Sequence, residues 1–238
     1  MLNTYLLETQ RLLQNPPASS PLYNPTDLTA YINTARSQIA LESAAIRVLA
    51  TLSITGASNS YNFSAINVTG TSGVEGVQAI RMMSYNVTGG KTFVIPRPWE
   101  WFNRYLLCQV SLPAGPPQQW AQYAQGSLGS LFVSPTPDVS YTINLDAICY
   151  PIALASDSDP EALPYPWTDA VPFFAAYYAY LSSQREQDAV QMFAKYEFFA
   201  ARARRFSTPD VLPNQYNQMG LSAVPQQAAP QGQAQGGG

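Results

Sequence analysis

The side chains that most often do chemistry are sparse in this chain, and their spacing excludes more than it nominates. There is no histidine, which removes Ser-His-Asp and Cys-His nucleophilic systems together with the usual zinc ligands. Cys108 and Cys149 share no metal-binding spacing and read as two reduced, packed thiols, with a disulfide as the alternative. The glycine-containing stretch GTSGVEG, residues 70–76, lacks the Lys-Ser/Thr ending with which a P-loop holds phosphate and magnesium. Asp157, Asp159 and Glu161 alternate as calcium ligands do. Ala162, however, stands where an EF-hand needs glycine and Thr168 where it needs a bidentate Glu, so the acids read as a loop ahead of a helix N-terminus. Nothing nominates a catalytic pair among the 15 acids. Asn62, Asn67 and Asn86 begin glycosylation sequons but read as turn residues of a Ser/Thr/Asn-rich β region. Trp99, Trp101 and Trp120 could line a sugar site, with packing anchors as the plainer reading. The expectation is a protein that is not an enzyme, with no catalytic, cofactor or metal residues.

What the chain carries instead is surface to be covered. Of its 238 residues 46% are apolar and 12% aromatic, but only 11% are charged, against roughly a quarter in an average soluble protein. Polar surface built from Ser, Thr, Asn, Gln and Tyr is characteristic of protein interfaces, where solvated faces would carry Lys and Glu. The net charge is −3 and lysine occurs only at positions 91 and 195, which argues against gripping nucleic acid by phosphate neutralisation. Five basic residues between Arg185 and Arg205 read as a helix end answering its dipole. No apolar run approaches the ~20 residues of a membrane span, and MLNTYLLETQRLL lacks the parts of a signal peptide.

The elements that must present this surface can be read in order. A short helix is expected over Asn3 to Leu13, stopping before Pro16 and Pro17, and a second after the cluster Asn24, Pro25, Thr26, Asp27, with Leu28, Tyr31, Ile32, Ala35 and Ile39 at the helical period, ending near Glu42. The period then changes to two. Ile46, Val48, Ala50 and Leu52 alternate with polar residues, and GASNS followed by YNFSAINV is a hairpin signal. Further β-type runs cover Val77 to Ser84, Thr92 to Ile95, Trp120 to Ala124, Leu128 to Val133 and Ser140 to Tyr150, with RPWEWFNRYL interrupting as a helical turn or projecting loop. Short strands at this spacing predict a small β-barrel or sandwich. From Trp167 to Arg205 the period returns to 3.6 and predicts an antiparallel helical hairpin. Its first helix is capped by Asp169, with Val171, Phe174, Tyr178 and Leu181 on one stripe and Phe173, Tyr177 and Tyr180 on another. Its second helix runs from about Glu186, with Val190, Phe193, Tyr196 and Ala200 on one face.

The fold class is therefore α+β: a discontinuous helical bundle made by the N-terminal helices (1–44) and the C-terminal hairpin (151–207), with an inserted antiparallel β module (45–150) and an extended or disordered Gln/Pro/Gly-rich tail (208–238). One hairpin cannot bury two apolar stripes on a helix, so Phe173, Tyr177 and Tyr180 are the candidate subunit contacts.

Four stretches carry a resemblance covering most of the chain: an N-terminal helix followed by a helix holding YINTARSQIALES; LSITGASNSYNF; SPTPDVSYTINLDAICYPIALA; and DPEALPYPWTDAVPFFAAYYAYLSSQ with the helix after it. In these the chain resembles the head-to-tail adaptor, or tail tubular A-like, proteins of short-tailed bacteriophages. The resemblance implies a structural virion protein of the tail or neck region, without an active site or cofactor. It implies a dodecameric ring beneath the portal protein, a β part facing the tail nozzle, and viral DNA passing through the channel without specific binding. By the same resemblance the helical end lies near the portal, and Val211, Leu212, Tyr216, Met219, Leu221 and Val224 become a candidate portal-binding arm. The rival reading is a phage tail or decoration module that binds a cell-surface glycan through the β domain.

Overall fold

A computed structural model describes residues 1–14, 22–56, 58–68, 70–88, 90–107 and 113–207. The N-terminal segment forms α1 (Leu2–Leu12) and α2 (Pro25–Ser43). Asn24 caps α2 by accepting a hydrogen bond from the Thr26 amide at 3.0 Å, with Pro25 at a helix position whose missing N–H costs nothing. The helix stops at Ala44, which takes the left-handed conformation.

Among the described residues seven strands follow: β1 (Arg47–Ile54), β2 (Ser60–Asn62), β3 (Val74–Val87), β4 (Gly90–Pro96), β5 (Gln119–Tyr123), β6 (Ser130–Ser134) and β7 (Tyr141–Pro151). They form one curled, half-barrel sheet in the order β1-β7-β3-β4-β5-β6-β2. Two expectations are corrected here. The segments flanking GASNS do not pair as a hairpin: β1 pairs along its whole length with β7, β2 pairs with β6, and the two segments are joined by the Thr51–Asn67 bridge and by the Tyr61 hydroxyl on the Thr55 backbone. The physical reason lies in length. After three residues of β2 the chain turns into a 3₁₀ segment that buries Phe63, whereas β7 offers β1 eight partners with matching apolar alternation. The sheet is also not wholly antiparallel, because β4 and β5 run parallel. A parallel pair needs a long crossover, and the segment holding α3 (Trp99–Phe102) supplies it.

Alternation puts Val48, Ala50, Leu52 and Ile54 of β1 on the same inner face as Ala147, Leu145 and Ile143 of β7. Helix α2 packs against β7, and one continuous core runs from Tyr5 and Ile32 through these strand residues to Phe174 and Tyr196.

The C-terminal helices are α4 (Val171–Ser182) and α5 (Glu186–Ser207). Helix α4 packs against α1, α2 and α5. Its start differs from expectation: a 3₁₀ turn over Trp167–Ala170 leads in, so Asp169 lies inside that turn and Ala170 takes the cap position without a side-chain cap. The packing faces agree in part: Val171 and Phe174 of α4 and Tyr196 and Ala200 of α5 are buried as expected. Ala175, Ala176 and Ala179 of α4 and Ala189, Ala200 and Ala203 of α5 are buried, whereas Leu181 and Val190 stand outside. The seam between α4 and α5 is aromatic, with Phe173 on Phe199 and Phe174 on Tyr196, and the buried alanines accompany these rings.

Candidate interaction site

The polar side chains with the most elaborate geometry face inward. Arg36 lies on the buried side of α2, between Ile32 and Ile39, and is 0% exposed. Its Nε donates to Glu161 Oε2 at 2.9 Å, one terminal nitrogen to Glu161 Oε1 at 2.8 Å, and the other to the Ile152 carbonyl at 2.8 Å. Glu161 also accepts from the Tyr5 hydroxyl at 3.0 Å and from the Leu163 amide at 2.8 Å. Beside it, Asn33 donates to the Leu154 carbonyl and accepts from the Leu154 amide. The bidentate pair is thus almost saturated with donors, which a buried ion pair requires to offset the loss of water. It clamps α1, α2 and the segment between β7 and α4 together. Burial and the Glu161 charge push the Tyr5 hydroxyl far above the ordinary tyrosine range, so it stays a hydrogen-bond donor.

This network absorbs one of the three alternate acids, and the others point elsewhere. Asp159 accepts from the Ala155 and Ser156 amides at 2.7 Å each, and these bonds hold its carboxyl below the usual range. Asp157 accepts from the Met1 amine and the Asn3 amide, which lowers it likewise. Each acid has its own protein donors, and no group of His, Cys, Asp or Glu suited to a metal occurs among the described residues. Cys149 is a free, buried thiol that burial pushes up to about 11, a state unsuited to nucleophilic work; Cys108 lies outside the described residues. The tryptophans do not share a face. Trp120 is buried and donates its indole N–H to the Val94 carbonyl, Trp99 packs between Tyr123 and Phe132, and Arg97 lies over Trp101.

Large apolar side chains also remain on the outside. The first surface is on α5, where Val190 is 67% and Phe198 64% exposed, beside Phe193 and Leu181. The second is the outer sheet face, where Leu49 is 87% exposed and Met82, Phe93 and Ile95 stand out with it. There Arg47, Arg81, Met82, Phe93, Ile95 and Asp146 line much of a groove of about 590 Å³. Arg47 pairs with Asp146 within it.

The candidate contact residues of the second α4 stripe separate. Tyr180 is 5% exposed, donates to the Leu12 carbonyl at 3.1 Å and carries Arg185 over its ring, so the protomer itself uses it. Phe173 stacks on Phe199, and Tyr177 packs against Phe174 and Phe193; both are only half-buried. Val211, Leu212, Tyr216, Met219, Leu221 and Val224 lie outside the described residues. Sequence reasoning missed Arg36, although a lone arginine on the apolar line of α2 is itself the signal of a buried partner. It also missed the outer α5 face by assigning Val190 to the packed side.

A chain whose polar network closes on itself, while large apolar side chains are left uncovered on a helix and on a sheet, has the character of an assembly component. The family comparison gives the class a name: the model of the SU10 adaptor protein family matches residues 6–218. The chain therefore belongs to the SU10 adaptor protein family and is a bacteriophage structural adaptor of the virion. No curated protein matches it.

Proposed function

We propose that this adaptor is a ring-forming connector that joins the portal of a phage head to the tail nozzle and lines the DNA channel. The observation that carries the reading is the pair of uncovered apolar surfaces, on α5 and on the outer sheet face, in a member of an adaptor family. The helices of 1–44 and 151–207 act in this reading as one discontinuous bundle toward the portal, and the β module of 45–150 faces the nozzle with its groove. In this reading Phe173 and Tyr177, half-buried in the protomer, meet a neighbouring copy. The segment from 210 to 225 serves as an arm against the portal. Its apolar side chains would contribute roughly 1.5–3 kcal/mol each, nearly offset by ordering the backbone, so firm docking would need many arms at once in a ring. With a net charge of −3 the channel would pass DNA without gripping it.

Electron microscopy of the full chain mixed with the portal protein of its phage tests the reading. Twelvefold rings, or density capping the portal, are the expected result. Failure to associate with portal in any form would overturn it, and retained binding to a cell-surface glycan by a small oligomer would favour the rival, which a buried Trp120 already weakens.

A further inference from the structure

We propose that the free protein pairs with a second copy of itself through the outer face of α5, the two helices antiparallel about a two-fold axis near Ala194 and Lys195. This does not depend on the connector reading, since it concerns the protein before any partner is present.

The inference starts from one line of residues. Gln187, Val190, Ala194, Phe198, Ala201 and Arg205 follow one another at helical i, i+3/i+4 spacing and are all exposed, while Ala189, Tyr196, Ala200 and Ala203 on the opposite side are buried in the protomer. Laid against its own reversed copy, this line interleaves: Val190, Phe198 of the copy, Ala194, Ala194 of the copy, Phe198, Val190 of the copy. Each phenyl ring enters the space beside an alanine, which is the large-against-small filling that helix seams require. The charges have the same symmetry. Asp188 is paired with Arg185 within the protomer, but Glu186 lies in the first turn and Arg205 in the last, so reversal brings Glu186 of each copy to the basic end of the other. Parallel pairing would instead align like charges and like helix dipoles. Lys195 lies beside the axis and meets its own copy, at a small cost because its long stem lets the ammonium diverge into water.

A second copy is the occupant that these features select, because the stripe is complementary to itself in both shape and charge. The seam is modest. Twenty-two residues make a helix about 33 Å long, and a single helix seam falls near the low end of specific interfaces, below about 1,200 Å². The pairing is therefore expected at micromolar concentration. Being two-fold, it closes on itself and cannot propagate as a head-to-tail contact does.

Sedimentation equilibrium of the full chain, without portal, from 1 to 100 µM tests the proposal. The expected result is a species of twice 26.0 kDa at the upper concentrations. Phe198→Asp should leave circular dichroism unchanged and abolish the dimer. Glu186→Arg and Arg205→Glu should each weaken it about tenfold through two like-charge contacts. An equimolar mixture of those two variants should restore pairing, because every end then meets its opposite. A wild-type monomer at 100 µM, which would leave the stripe to the chain's own tail or to a virion partner, overturns the proposal. So does a dimer indifferent to Phe198→Asp, or a charge-swapped mixture that fails to pair.

Discussion

The clamp around Arg36 and the outer face of α5 are built on opposite plans. At the clamp a full charge is buried and given partners from Glu161, Asn33 and Ile152. At the outer face Val190 and Phe198 are apolar and left in water. The first arrangement is complete within the protomer, so its side chains serve the fold. The second is unfinished, so its side chains are free to serve something outside. Stability should therefore be lost at one and association at the other, and this division can be broken by experiment.

The largest effect should come from the clamp. Arg36→Met leaves Glu161 charged and buried among Tyr5 and the Leu163 amide, and breaking such a pair costs about 3–5 kcal/mol. Adding Glu161→Gln to it should recover much of that loss, because no unpaired charge then remains. Urea unfolding of both variants measures this, and an Arg36→Met protein as stable as wild type would show the pair to be ornamental. Gly73→Ala should cost about 1–3 kcal/mol, since Gly73 sits at φ +82° and an added Cβ would come within 2.7 Å of the Pro160 carbonyl oxygen, on the segment the clamp holds. Thr9→Val should move stability the other way: the Thr9 hydroxyl is buried without a partner among the described residues, and removing it should stabilise by about 1 kcal/mol, read as a higher urea midpoint.

Titration probes the finished interior of the protomer. The Tyr141 hydroxyl, held by its hydrogen bond to Asp138, rises from 10.0 to about 12, and the buried Cys149 thiol rises from 9.0 to about 11. Burial moves Tyr5 and Tyr196 in the same direction. All of these keep their protons longer in the folded state than in the unfolded one. Their contribution is therefore complete below about pH 9 and is lost as pH climbs through about 12. Urea midpoints should be level from pH 7 to 9 and fall steadily above it. Thiol reagents should modify Cys149 only on unfolding.

How much of this was legible in the sequence depended on how far a signal had to reach. Asn24 with Pro25 marked the start of α2 correctly because a cap acts within two residues. Alternation marked β1 and β7 because each strand carries its own period. The pairing of β1 was not legible: the competition between a local hairpin through GASNS and a long-range partner in β7 is settled by strand length and burial that no window contains. Helix faces were legible in part, for a related reason. On α5 the expected face of Val190, Phe193, Tyr196 and Ala200 is buried at Tyr196 and Ala200, together with Ala189 and Ala203, whereas Val190 and Phe193 stand further out, because the aromatic seam with α4 turns the packed stripe away from Val190. Arg36 and Glu161 lie far apart in the chain, and their partnership follows only from the fold that joins α2 to the segment after β7.

The smallest expected effect on stability is the sharpest test of the comparison. Val190 and Phe198 are mostly exposed, and Phe198 meets Phe199 edge-on. A substitution at a surface position without a cap, cavity or ion pair stays within about 0.5 kcal/mol, so Val190→Ser with Phe198→Ser should leave the urea midpoint nearly unchanged. In the unfolded chain these side chains are hydrated much as they are on the folded monomer, and little transfer free energy is at stake until another surface covers them. Association is where the loss should register, in the sedimentation of the free protein and in its attachment to virion partners. Equal-sized changes at Phe174 and Tyr196, which stack on each other in the core, should do the reverse. If the outer pair of serines unfolds the protein, the α5 face belongs to the fold after all, and the division between a finished clamp and an unfinished helix is wrong.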